Sequence, residues 1–233
     1  MSNFTKQGKF IVIDGTDGSG KATQTALLEK RLKKEGYRVK KIDFPRYDKN
    51  FFGKLIGECL VGDYGDFISL DPHIASVLYA VDRFESSGEI KKWLTEGFIV
   101  LADRYVSSNQ IHQGSKISDP AKRKQFLHWL DKMEYGVFNI PKPNLIIFLD
   151  VPISITQKLL KFKGQTEKKK YLKGKKDQAE NDLTHLEKSR TNATSIVKKG
   201  NNWRKINCTE AGEIKSREQI HGLVFKEIKK VVK

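Results

Sequence analysis

The stretch FIVIDGTDGSGKATQ, Phe10 to Gln24, decides the fold. Its first half, Phe10 to Ile13, is an unbroken apolar run that suits a strand covered on both faces. Its second half nearly spells the P-loop pattern G-x-x-x-x-G-K-[ST]: Gly15, Gly20 and Lys21 fit, and Ala22 stands where a hydroxyl belongs. A glycine-rich turn that opens a helix after a buried strand aims backbone N–H groups and the helix's positive pole at one point, which suits an anion. Gly15, Gly18 and Gly20 let the backbone approach phosphate oxygens, Thr16, Asp17, Ser19 and Thr23 complete the loop and first turn, and Lys21 can reach β- and γ-phosphates.

Ala22 has no oxygen to offer a metal. Thr23, about 100° further round the helix, does not replace it. Mg²⁺ needs only one or two carboxylates besides substrate phosphates. Asp17 in the loop and Asp103 at the end of the run FIVLA are the candidates, although either also suits an ordinary turn or cap.

Outward from this stretch, strand-like runs recur at Val39 to Phe44, Phe98 to Ala102, Leu145 to Leu149 and, weakly, Trp203 to Ile206. Helical patterns separate them, so βαβ units and a parallel sheet are expected. Asp71-Pro72 and Asp119-Pro120 read as capped helix starts, and Ser216 with Gln219 as a capping box. The last helix is expected to bury Ile220, Leu223, Val224, Ile228 and Val231. Gly36, Gly97 and Gly200 fall where helices should stop.

A chain of 233 residues with 38% hydrophobic and 31% charged residues reads as one soluble globular domain, 1–233. No apolar run is long enough to span a bilayer, which argues against a membrane role. Two distant cysteines, Cys59 and Cys208, and the absence of a secretory h-region suit the cytoplasm. The net charge of +16 points to an anionic partner, nucleotide or nucleic acid. Eight lysines and one glutamate between Lys161 and Lys176 carry +7 of it, and such runs are commonly solvated loops.

Three arginines lie in FPRY (Phe44 to Tyr47), YAVDRFE (Tyr79 to Glu85) and ADRY (Ala102 to Tyr105). Arginine's fork binds phosphate in a bidentate way, so Arg46, Arg83 and Arg104 suit a second phosphorylated substrate. Phe44, Tyr79 and Tyr105 beside them offer faces for stacking a base.

At these residues the chain resembles the thymidylate kinases, P-loop enzymes that transfer the γ-phosphoryl of ATP to dTMP. The similarity runs from DGTDGSGK through FPRY, LYAVDR and DRYVSSNQIHQG to PNLIIFLDV. The resemblance implies an α/β, three-layer P-loop NTPase fold with a five-stranded parallel sheet, helices on both faces and a mobile lid, about 161–177. It implies ATP as co-substrate, Mg²⁺, dTMP as acceptor and a homodimer. By the same resemblance the Lys21 loop holds ATP phosphates, and Asp17 touches the dTMP 3′-hydroxyl or places the metal. Phe44 and Tyr79 flank thymine, with Tyr47 alongside. Arg46, Arg83 and Arg104 bind the dTMP phosphate, Ser108 and Gln113 read the base edge, and Asp103 and Glu180, the latter in a D-x-x-E with Asp177, stand on the metal side.

Two further departures accompany Ala22. His112, at a sugar- or base-packing position, replaces a usual Tyr or Phe, and 161–176 contains no arginine. The rivals are a kinase for another nucleoside monophosphate or a deoxynucleoside, and a nucleic-acid-binding protein with a vestigial P-loop. No RNP, zinc-finger or helix-turn-helix signature supports the latter.

Overall fold

The computed structural model describes residues 7–166 and 182–232. Five strands, β1 (Lys9–Gly15), β2 (Val39–Asp43), β3 (Ile99–Asp103), β4 (Leu145–Asp150) and β5 (Trp203–Asn207), form one sheet in the order β2-β3-β1-β4-β5. Every neighbouring pair is parallel. The carboxyl ends therefore lie along one edge, where Asp43 is in register with Asp103 and Asp103 with Ile13.

Side-chain alternation sorts the strands between two faces. Ile11 and Ile13 join Leu101, Ile147 and Leu149 on one side, under helices α1 (Lys21–Lys34) and α9 (Arg217–Val232). Phe10 and Val12 join Val100, Ile146 and Phe148 on the other. That face is covered by α4 (Ser87–Thr95), α5 (Val106–His112), α6 (Pro120–Asp131) and α8 (Leu183–Lys199). Helices α2 (Phe51–Leu60) and α3 (Pro72–Glu85) enclose a smaller cluster around Ile56, Leu60 and Phe67. Helix α7 (Ile153–Thr166) follows β4 and takes in the first residues of the lysine-rich segment. The remainder of 161–177, with Asp177 and Glu180, lies outside the described residues.

The caps hold as hydrogen bonds. Asp71 accepts from His73 N–H at 2.8 Å, Asp119 from Ala121 N–H at 2.7 Å, and Ser216 and Gln219 bond reciprocally at 2.8 and 3.1 Å. Gly36 and Gly97 are left-handed, with φ of +85° and +81°.

Gly200 ends α8 as expected; at φ −89° handedness does not require glycine there, but a Cβ would lie 2.3 Å from the Trp203 ring, and close approach does. One expectation needs correction. Leu223 stays 38% exposed, because the buried stripe of α9 runs through Ile220, Val224, Phe225, Ile228 and Val232. At about 100° per residue these share one side and Leu223 falls off it. Short strands β6 (Thr209–Glu210) and β7 (Glu213–Ile214) form a hairpin that no apolar alternation announced.

Phe148 is fully buried in the sheet's second face. Phe148→Ala should destabilise by about 3–5 kcal/mol through lost transfer energy and a cavity. Urea unfolding should show a lower midpoint at unchanged slope; an unchanged midpoint would contradict this placement.

Candidate active site

Between β1 and α1, Gly18 and Gly20 take φ of +79° and +89°, values that cost glycine nothing. A Cβ on Gly18 would also lie 2.7 Å from the Thr156 carbonyl of α7. Gly20 occupies the N-cap of α1 and no side chain caps it, which leaves the helix's positive pole to an anion. Lys21 bends back over the loop: its Nζ donates to the carbonyls of Gly15 at 3.0 Å and Thr16 at 2.9 Å and lies 3.9 Å from the Asp17 carboxylate. Burial first, then the charge of Arg104, pull its pKa below the usual lysine value.

Arg104 follows β3 with φ +68°, a left-handed conformation that costs a bulky residue of order 1–3 kcal/mol. Its N–H is held by the Ile13 carbonyl at 3.0 Å, and its guanidinium pairs with Asp17. Burial opposes its charge, but Asp17, Asp14 and Asp103 overcome that and raise its pKa. The Asp103 carboxyl is pushed up, chiefly by burial, against the pull of Lys21 and Arg104. His112 Nε2 lies 3.5 Å from Arg104, and its ring centroid is 5.9 Å from that of His185. Burial, then Arg104, push its pKa well below 6.5.

These groups share one cleft of about 850 Å³, which Asp17 to Thr23 line from the loop side. Gly15 and Thr16 lie behind that wall. At one end stand Phe44, Tyr47, Tyr79, Arg83 and Gln113. At the other end are Ile214 to Arg217, just after the hairpin turn, and Gln24, whose amide Nε2 donates to the Arg217 carbonyl at 3.1 Å. This second end was not read from sequence, because its residues come from a short hairpin; nor were Lys116, from the turn after α5, and His185, from α8, which also line the cleft and carry no motif.

Four expected residues sit differently from their sequence-based roles. Arg46 does not line the cleft: Asp82 accepts its N–H at 3.3 Å, and its guanidinium runs outward to Ser86 at 2.9 Å and Glu89 at 3.0 Å. Arg83 lines the cleft but is not a free phosphate clamp, since Glu134 accepts from its Nε at 2.7 Å and its Nη2 at 2.6 Å. Ser108 lines the cleft too, yet its hydroxyl is engaged by the Asp14 carboxylate at 2.9 Å. Asp14, buried at the end of β1, also accepts from Ser107 at 2.5 Å and Gly15 N–H at 2.8 Å, so it ties α5 to the loop. Tyr105 is a core residue, edge-on to Phe10 at 4.8 Å, with its hydroxyl on the Pro141 carbonyl.

Among the described residues no three His, Cys, Asp or Glu side chains converge as a metal cage. Mg²⁺ does not require one. Asp103 is drawn to Lys21 and Arg104 through charge rather than a hydrogen bond, and the loop hydroxyls of Thr16 and Ser19 are buried without partners. These oxygens fit a cation whose other ligands are phosphate and water. Glu180 lies outside the described residues.

A family profile described as thymidylate kinase matches residues 13–220. A probable thymidylate kinase of Pyrobaculum aerophilum is 34% identical over 165 residues, covering 70% of this chain and 75% of that one. The thymidylate kinase of Plasmodium falciparum is 29% identical over 177 residues, covering 73% and 78%. A solved thymidylate kinase from Candida albicans superposes with a TM-score of 0.71 at 23% identity, over 96% of this chain and 92% of that one, which shows a common fold.

Because the folded state keeps His112 neutral while the unfolded chain takes up a proton near pH 6.5, this residue's contribution is present above that pH and lost as pH falls below it. His185, depressed by burial and Lys116, acts in the same direction. His112→Gln should make stability fall less steeply below pH 6.5, by up to about 1.4 kcal/mol per pH unit. Urea titrations at stepped pH check this, and parallel slopes would refute it.

Proposed function

The chain belongs to the thymidylate kinase family, and we propose that its cleft brings the tails of ATP and dTMP together at the cationic centre formed by Lys21 and Arg104. The enzyme phosphorylates dTMP to dTDP in dTTP synthesis, with ATP as donor. The observation that carries the site assignment is the placement of both cations beside Asp17 in one cleft, with the loop between an aromatic end and a hairpin end.

In this reading the loop amides and Lys21 hold the ATP phosphates, Lys21 exchanging the carbonyls of Gly15 and Thr16 for β- and γ-oxygens. Arg104 exchanges Asp17 for the phosphate passing between the nucleotides. An oxygen of the dTMP phosphate attacks the γ-phosphorus, the bond from that phosphorus to the β,γ-bridging oxygen breaks, and ADP leaves. The acceptor is already anionic near neutral pH, so no base is needed, and positioning with charge neutralisation does the work. Asp103, with Asp17 and Glu180, would hold Mg²⁺, which would supply neutralisation of phosphate charge.

Tyr79 stacks on thymine, with Phe44 and Tyr47 beside it, and Gln113 faces the base edge. Ser108 serves that edge only through its lone pairs, since its hydroxyl donates to Asp14. Arg83, neutralised by Glu134, offers directed N–H groups rather than net charge. Arg46 is left out of the clamp. His112 packs near the sugar, and the lysines of 161–177 add point charges.

A homodimer is supported by an apolar stripe on α3. Ile74, Val77 and Phe84 are 58%, 36% and 48% exposed at three- and seven-residue spacings, and Val137 nearby is 72% exposed. Among the described residues no helix is long and apolar enough to cross a membrane. Both cysteines are free, in keeping with a cytoplasmic enzyme.

A coupled ADP assay over a panel of nucleoside monophosphates should show dTMP as the preferred acceptor. Lys21→Ala and Asp103→Asn should each reduce turnover about 100-fold or more. Asp103→Asn should also be more stable than wild type in alkaline buffer, because a raised carboxyl pKa withdraws stability as pH rises through it. Full activity in both variants would sink the site assignment, and equal use of all acceptors would remove the preference for dTMP. Sedimentation should give a dimer for the wild type and a monomer for Ile74→Glu; a wild-type monomer would end the dimer proposal.

A further inference from the structure

Glu134 occupies a position that the pattern of its own helix reserves for a core residue. Phe126 and Leu130 are buried at four-residue spacing along α6, and Glu134 comes next on that stripe, with no exposed surface. The chain there widens into a π-helical turn, Lys132–Val137, in which Phe138 N–H reaches the Met133 carbonyl at 2.9 Å. Such turns are frequent at functional sites. The carboxylate meets Arg83, itself 2% exposed, in a two-pronged pair at 2.7 and 2.6 Å, and Arg83 Nη1 donates to the Tyr105 carbonyl at 3.4 Å.

Three of the five guanidinium N–H groups are thereby held, and the two that remain belong to a side chain lining the cleft one helical turn beyond Tyr79. A buried ion pair is a poor source of stability compared with apolar residues of similar size. A forked pair does fix the plane and direction of a guanidinium.

We propose that Glu134 is a positioning residue for the acceptor nucleotide: through its paired contacts it fixes the plane of Arg83 and cancels its charge, so that Arg83 meets the acceptor with directed hydrogen bonds rather than as a free cation. This rests on the reading of the Tyr79 end as the acceptor site.

A double-mutant cycle tests it, using Glu134→Gln, Arg83→Gln and the double variant in the full-length enzyme, with each variant's melting temperature measured first. The acceptor is whichever nucleoside monophosphate the wild type uses best. A choice other than dTMP therefore overturns the substrate reading and leaves this test in force.

Glu134→Gln should raise the KM for the acceptor about 10- to 100-fold. The KM for ATP should stay within about twofold. The double variant should match Arg83→Gln alone, because Glu134 acts through Arg83. Additive penalties would overturn the proposal, as would a KM for ATP that moves with that for the acceptor. Should Glu134→Gln not fold, Glu134→Asp keeps the charge while drawing the fork back by one methylene. An unchanged acceptor KM in that variant would equally overturn it.

Discussion

A buried lysine and a half-buried arginine beside an uncapped helix start form the constraint on which the rest of the molecule turns. Lys21 and Arg104 weaken each other's surroundings: the charge of Arg104 is, after burial, the strongest influence lowering the lysine's pKa. The positive pole of α1 adds to the excess. Asp17, Asp14 and Asp103 offset part of it, and Arg104 sits there in a backbone conformation that a side chain of its size rarely adopts. A centre of this kind attracts an anion, and the proposed function gives that place to phosphate.

The sheet makes the centre possible. Parallel strands deliver their carboxyl ends to one edge, and this sequence ends three of them with aspartate, Asp43, Asp103 and Asp150, and places Asp14 next to last in β1. Their uses differ with their neighbours. Asp14 binds two serines of α5 and a loop N–H, which stiffens the turn around the phosphate site. Asp103, half-buried, makes no side-chain hydrogen bond among the described residues and keeps its oxygens available. At the far strand Asp150 joins Arg190 at 2.7 Å and Lys205 at 3.1 Å, so the helix that returns after the lysine-rich segment is fastened to β4.

Much of this was legible in the chain. Apolar runs located all five long strands, because a strand covered on both faces has a composition that survives without context. The loop and its lysine were equally plain, since the glycines are dictated by backbone geometry. Side-chain direction was not legible. Arg46 and Arg83 both look like phosphate ligands in sequence, and only the approach of Glu89 and Glu134 from distant helices separates them from Arg104. Ser108 is diverted by Asp14 from another strand for the same reason. Glu134 itself left a signal, a carboxylate at core spacing after Phe126 and Leu130, which is meaningful only once its arginine is known. The hairpin that closes one end of the cleft is too short to show any periodicity.

The hydrogen bond from Gln24 to the carbonyl of Arg217 joins positions 193 residues apart. One wall of the cleft is thus made early on the ribosome and the adjoining one much later, with most of translation in between. Until Ile214 to Ile220 emerge and fold back, the loop is an anion trap with one side missing, and a nascent chain has no complete seat for a nucleotide. A ligand that spans this cleft can lend its full binding energy to the fold only once that wall is in place.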